Sequence, residues 1–129
     1  MAEESEILKI LAQLAPGATT LTTLYTTPCQ KRTQVHKLII CNRGAQATYR
    51  VAVIPLGEVL ATKHYHYYDT VLAANASITI FDKNDPVYLY GHGFPDDVTP
   101  RVDLIKVYAS TADLSFSLYG KEMFFNAGQ

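Results

Sequence analysis

One stretch constrains this chain more than any other: residues 33–55, written TQVHKLIICNRGAQATYRVAVIP. Val35, Lys37, Ile39 and Cys41 alternate with His36, Leu38 and Ile40. After NRGAQ, Tyr49, Val51 and Val53 alternate with Arg50, Ala52 and Ile54. A period of two sends successive side chains to opposite faces of an extended chain, and the β-branched and aromatic residues here suit such a pleated surface. Gly44 relieves the turn between the two runs, and Pro55 and Gly57 end the second. The pattern predicts two antiparallel strands joined as a hairpin. Whatever else the chain does, it must supply a sheet.

The remaining segments follow the same habit. LTTLYTTP reads as a short strand closed by Pro28. KHYHYYDTVLA reads as a strand of strong aromatic character, and NASITIFD as another, with Ile78 and Ile80 on one face. DLIKVYAS and DLSFSLYGK are further strands, joined by Thr111 and Ala112. In the last, Leu114, Phe116 and Leu118 alternate with Ser115, Ser117 and Tyr119. The segment from about 81 to 102 is rich in proline, glycine and carboxylates and reads as a loop excursion, with one short strand at VYLY. The opening SEILKILAQLAPG fits two patterns. Ile7, Ile10, Leu11 and Leu14 have helical spacing, and Leu8, Ile10, Ala12 and Leu14 share one face of a strand. The β character of the rest favours the strand. The sum is an all-β chain: a single antiparallel β-sandwich, jelly-roll or immunoglobulin-like, of about seven to nine strands. We expect one domain over residues 1–129, with Val51, Val53, Phe116 and Leu118 facing inward.

Composition narrows the function classes. Hydrophobic residues make up 48%, too many for a disordered chain. With 11 basic and 12 acidic residues and no basic block, the sequence shows no electrostatic footprint for nucleic acid, and none is expected as a partner. No apolar run approaches a membrane span, and the acidic start MAEESEILKI is unlike a signal peptide. A protein made in the cytoplasm is expected. Cys29 and Cys41 should then be free thiols.

HYHYYD, residues 64–69, is the candidate for chemistry. On a regular strand His64 and His66 would point to one side, as two ligands of a metal do. A third ligand is not readable. Gly57 before the pair resembles the start of the cupin histidine motif, but positions 67–72 read YYDTVL and lack its glutamate. No metal and no cofactor is expected. There is no Gly-x-Ser-x-Gly elbow and no phosphate-binding glycine loop. The carboxylates of DKNDP and FPDD are the residues of turns. No catalytic residue is assigned, and the expectation is a protein that is not an enzyme. Densely placed tyrosines are instead the amphipathic residues of interfaces. The interface candidates are His64, Tyr65, His66, Tyr67 and Tyr68, with Tyr88, Tyr90 and Phe94 of YLYGHGF as a second contact. Stacking of the tyrosines on sugar rings is the alternative.

Four stretches in order carry a resemblance: LAQLAPGATTLTTLYTTP, VHKLIICNRGAQATYRVAVIPLG, HYHYYDTVLAANASITI and VYASTADLSFSLYGKE. The most specific pieces are LYTTP, CNRG followed by YRVAV, and VYAST followed by LSFSLYG. Together they resemble short β-sandwich virion proteins of tailed bacteriophages. The resemblance implies a structural protein of the tail, neck or baseplate, or one that decorates the capsid. It also implies a location in the virion and partners that are further copies of itself (a homo-oligomer) and other virion proteins. No catalytic residue comes with it. The chain departs from the family pattern between ITI and VYAS, where residues 81–106 replace a short turn.

Overall fold

The computed structural model describes residues 8–55, 58–81, 87–91 and 102–124. Among these residues nine strands form two antiparallel sheets: β1 (Lys9–Leu14), β2 (Thr22–Thr26), β3 (Lys31–Asn42), β4 (Ala47–Ile54), β5 (Tyr65–Leu72), β6 (Ser77–Ile80), β7 (Val87–Tyr90), β8 (Leu104–Ala109) and β9 (Leu114–Phe124). The first sheet runs β1-β9-β3-β6, with β7 also on β3, and the second runs β2-β8-β4-β5. The pairing is nested. First strand meets last, second meets second-last, β3 meets β6 and β7, and β4 meets β5. A long ribbon folded back on itself and rolled up gives this order, so the sandwich is a jelly roll and not immunoglobulin-like.

The expected hairpin is corrected by this topology. β3 and β4 lie in different sheets. Each already has neighbours on both sides: β3 has β9 and β6/β7, and β4 has β8 and β5. Neither has an edge left for the other, so residues 43–46 form a corner between sheets. Asn42 holds that corner. Its buried side-chain amide donates to the carbonyls of Ala45 (2.8 Å) and Ala73 (3.1 Å), and its Oδ1 accepts from Gly44 N–H (2.9 Å). The β8–β9 corner packs against the same place, with Arg43 N–H donating to Asp113 O at 3.1 Å. Gly44 leaves room for the Asp113 side chain, since a Cβ there would lie 2.2 Å from Asp113 Oδ2 and the side chain would have to move.

The inward residues of the two sheets make one core. Val35, Leu38 and Ile40 of β3, Tyr49 and Val51 of β4, Ile105 and Val107 of β8, and Leu114, Phe116 and Leu118 of β9 are fully buried. Val53 packs against them partly buried. The four residues expected to face inward therefore do so. The first segment is a strand, because the edge of β9 needs a partner. It does not alternate simply, however. A bulge at Leu11 turns Leu11, Ala12 and Leu14 toward the core and leaves Leu8 and Ile10 exposed. A second bulge at His36 reverses the parity of β3 at the same level of the sheet. Gly120 of β9 lies between the two, where a Cβ would come within 2.2 Å of Gln34 O.

One polar cluster crosses the core. Tyr25 of β2 donates its hydroxyl hydrogen to Glu122 Oε2 of β9 and accepts from Thr33 of β3 at 2.8 Å. Lys9 Nζ lies 2.9 Å from Glu122 Oε1. Burial alone would push the Glu122 carboxyl upward. The Tyr25 hydroxyl and the Lys9 ammonium outweigh it and hold the carboxyl below its usual range. Burial, then the carboxylate, push the Tyr25 phenol far up, so it stays a donor.

Two expectations follow. Phe116→Ala should cost roughly 3–5 kcal/mol, as large truncations in a packed core do, read from urea unfolding; a loss near zero would mean the register is wrong. Glu122 is stabilising when ionised, and its folded pKa is depressed. Its contribution is therefore fully present above the unfolded value of 4.5 and is lost as pH falls through the folded one. Glu122→Gln should cost about 1–3 kcal/mol at pH 7. The gap to the parent should close as the medium is acidified. Parallel pH profiles for the two proteins would show that the cluster is not ionised in the fold.

Candidate functional site

HYHYYD does not form a regular strand. Residues Thr62–His64 make a 3-10 turn, and β5 begins only at Tyr65. His64 is 5% exposed. Its Nδ1 accepts from Ala61 N–H at 3.0 Å, which assigns the ring proton to Nε2, 3.0 Å from Glu58 Oε1. The hydrogen bond from His64, and then the nearby Lys63, lower the Glu58 carboxyl below its ordinary value. His64 thus fastens the segment that leads into β5.

His66 is an extra residue in β5, because Tyr67 pairs with Val51 and Tyr65 with Ala52. It is exposed, with its ring edge-on to Phe81 at 5.9 Å, and the desolvation on that side lowers its pKa. The expectation that His64 and His66 share a strand face is corrected: one histidine precedes the strand and the other sits on a bulge. Among the described residues no three His, Cys, Asp or Glu side chains are grouped to hold a metal ion. Cys29 and Cys41 are free and partly buried.

A second bulge lies at Tyr68 and Asp69, which together oppose Arg50. Asp69 takes a left-handed backbone, φ 49°, tolerable for Asp. This irregularity assembles the surface. Arg50 Nε donates to Asp69 Oδ1 at 2.6 Å and Nη2 to Oδ2 at 3.3 Å. The guanidinium carbon lies 4.2 Å from the ring centroid of Tyr68 and 4.2 Å from that of Tyr108. The bond to Asp69 raises the Arg50 pKa. Tyr65 meets Tyr68 edge to face, centroids 4.9 Å apart. Beside them Tyr68 and Val71 are each 57% exposed. The outside of the second sheet therefore carries a fixed strip of aromatic rings around a pinned guanidinium. Arg and Tyr are residue types that dominate binding energy when a partner covers them.

The other candidates are distributed differently. Tyr67 points inward, 5.9 Å from Tyr49. His64 is buried and presents no surface. Tyr88 and Tyr90 lie on β7, on the outer face of the first sheet, so the two tyrosine groups are not brought together. Phe94 lies outside the described residues, as does most of the segment from 81 to 102. Arg50 and Tyr108 escaped the sequence reading because their meeting depends on the β4–β8 pairing, in which they are directly opposed. A cleft of 660 Å³ has His36, Lys37, Tyr67, Ile80 and Phe81 in its wall. Leu8 and Thr79 complete its described lining, which holds no carboxylate or cysteine beside His36.

No protein-family model matches this chain, and no curated protein matches it. A chain in the structure of infectious bursal disease virus, Gx strain, overlaps it with 11% sequence identity and a TM-score of 0.35. The overlap covers 91% of this chain and 38% of that one, so this chain spans well under half of that chain's length. No helix among the described residues is long and apolar enough to cross a membrane.

Arg50→Ala removes two ring contacts and a forked ion pair at a partly exposed site. Each ring contact contributes about 0.5–1 kcal/mol there and the ion pair about 0.2–1. The isolated chain should lose about 1–3 kcal/mol on urea unfolding, less than Phe116→Ala loses. Equal losses would mean the strip is part of the core.

Proposed function

We propose that this protein is a non-enzymatic structural subunit of a tailed-phage virion, a tail, neck or baseplate component that self-associates and contacts neighbouring virion proteins. It is made in the host cytoplasm and ends in the particle. The observation that carries the reading is the exposed strip of Tyr65, Tyr68, Tyr108 and Val71 around Arg50. The sequence resemblance of LYTTP, CNRG with YRVAV, and VYAST with LSFSLYG supports it. So does the jelly-roll topology, an architecture that recurs in viral capsid and lectin domains, although a fold alone does not fix a function.

The edges add a physical argument about how copies would meet. β6 and β7 have four residues each, and β1, β2 and β5 are interrupted by bulges. Short and bulged edges resist strand addition. Association through a sheet face is the route left, and the aromatic strip is such a face. Capsid decoration is the same proposal with a different neighbour. Sugar binding for host attachment is the second reading, favoured by rings with an arginine and a carboxylate beside them; the absence of tryptophan speaks against it.

Mass spectrometry of purified particles should find this chain in stoichiometric amounts, and a particle map should place the strip against another chain. A chain absent from particles overturns the proposal. With the strip exposed to solvent in the particle, glycan binding that Tyr68→Ala abolishes would become the better account.

A further inference from the structure

The cations of this chain form no run in the sequence, but the topology gathers three of them. Arg32 and Lys37 of β3 and Lys121 of β9 lie on the outer face of the first sheet. Cross-strand pairing sets rings beside them. Arg32 opposes Tyr90, Gln34 stands between Tyr88 and Lys121, and Lys37 opposes Tyr119, with its Nζ 5.2 Å from that ring centroid. Tyr88 is 47% exposed. Gln34, Ser115, Ser117 and Thr79 share the face and add hydrogen-bonding groups. Among the described residues no carboxylate lies on it. Glu58 and Asp69 belong to the other sheet's side, Asp103 and Asp113 to connections, and Glu122 points into the core. The chain as a whole carries −1. A face without carboxylates among the described residues, on such a chain, is a local arrangement and not a consequence of net charge.

We propose that this face binds single-stranded nucleic acid. Tyr88, Tyr90 and Tyr119 are the stacking platforms, and Arg32, Lys37 and Lys121 meet the phosphates. A flat sheet face cannot enter a duplex groove, but unpaired bases can lie on rings that stand on it, as in sheet-based single-strand readers. From Arg32 to Lys37 the strand runs roughly 16 Å, and neighbouring strands stand about 4.8 Å apart, enough for two or three stacked bases. An acidic protein segment would satisfy the cations but leave the rings without a role. That difference favours nucleic acid. The reading does not depend on the virion proposal, which uses the opposite sheet.

The test is fluorescence anisotropy of a short labelled oligothymidylate with the full-length chain at low salt. Binding is expected, with log K falling against log salt at a slope of about −2, as three phosphate contacts on a single strand require. Tyr88→Ala should weaken it roughly fivefold to a hundredfold, the loss of one stacked base. Lys37→Glu with Lys121→Glu should abolish it. Lys63→Glu with Lys106→Glu, the same charge change away from this face, should leave most of it. No binding at low salt overturns the proposal. Equal losses in the two charge-reversed proteins also overturn it, since the site would then lie elsewhere. So does tight binding of polyglutamate with Tyr88→Ala indistinguishable from the parent, which would identify an acidic-protein docking face.

Discussion

β9 holds this sandwich together, because it must pair with the first strand on one side and the third on the other. Its partners in β3 run from Lys31 to Asn42, and in β1 from Lys9 to Leu14. Neither contact can form until nearly the whole chain is available. The nested pairs β2–β8 and β4–β5 lie inside that closure. A topology so dominated by distant pairings pays loop-closure entropy before contacts compensate it, which predicts slow folding relative to hairpin-rich sheets. The geometry of the closure is tight as well. Two bulges, at Leu11 and His36, flank Gly120, and the Gln34 carbonyl occupies the space a side chain would need.

Apolar burial is non-directional, so directional contacts sharpen the register of two sheets. Two polar clusters supply the missing specificity. Tyr25 bridges from β2 to Glu122 and Thr33 of the other sheet, and Asn42 ties three chain segments at one end. Each would leave unsatisfied buried groups if the sheets shifted, a loss of about 1–3 kcal/mol per group. That exceeds the few tenths that a surface contact contributes, so these clusters and not the exposed ion pairs decide the alignment.

Strand existence was legible because alternation is a local property. The strands at 22–26, 65–72, 77–80, 87–90, 104–109 and 114–124 fall where turn residues and period-two patterns place them. Partnership was not legible. Val35–Ile54 looks like a hairpin because strand, turn and strand follow one another, and nothing local reveals that both strands will find other neighbours. Gly44 illustrates the same limit. A turn residue is legible locally, whereas the Asp113 side chain that fills the space beside it comes from far along the chain. Bulges are the other hidden element. They shift facing by one residue, so the parity that would put His64 and His66 on one side fails at His66 and again at Asp69.

The same bulges explain why the surface features had to be found in three dimensions. A regular β5 would set one residue opposite Arg50; the bulge sets two, a ring and a carboxylate, and so satisfies the guanidinium on its face and its edge together. Tyr108 completes the arrangement from β8, across the strand that carries Arg50. The guanidinium loses its freedom in the isolated chain, before any partner arrives. Ordering long side chains is among the costs of association, about 0.5–1.5 kcal/mol each. A surface whose arginine is already held between two rings has met part of that cost during folding, so the association proposed for this strip would have less of it left to meet.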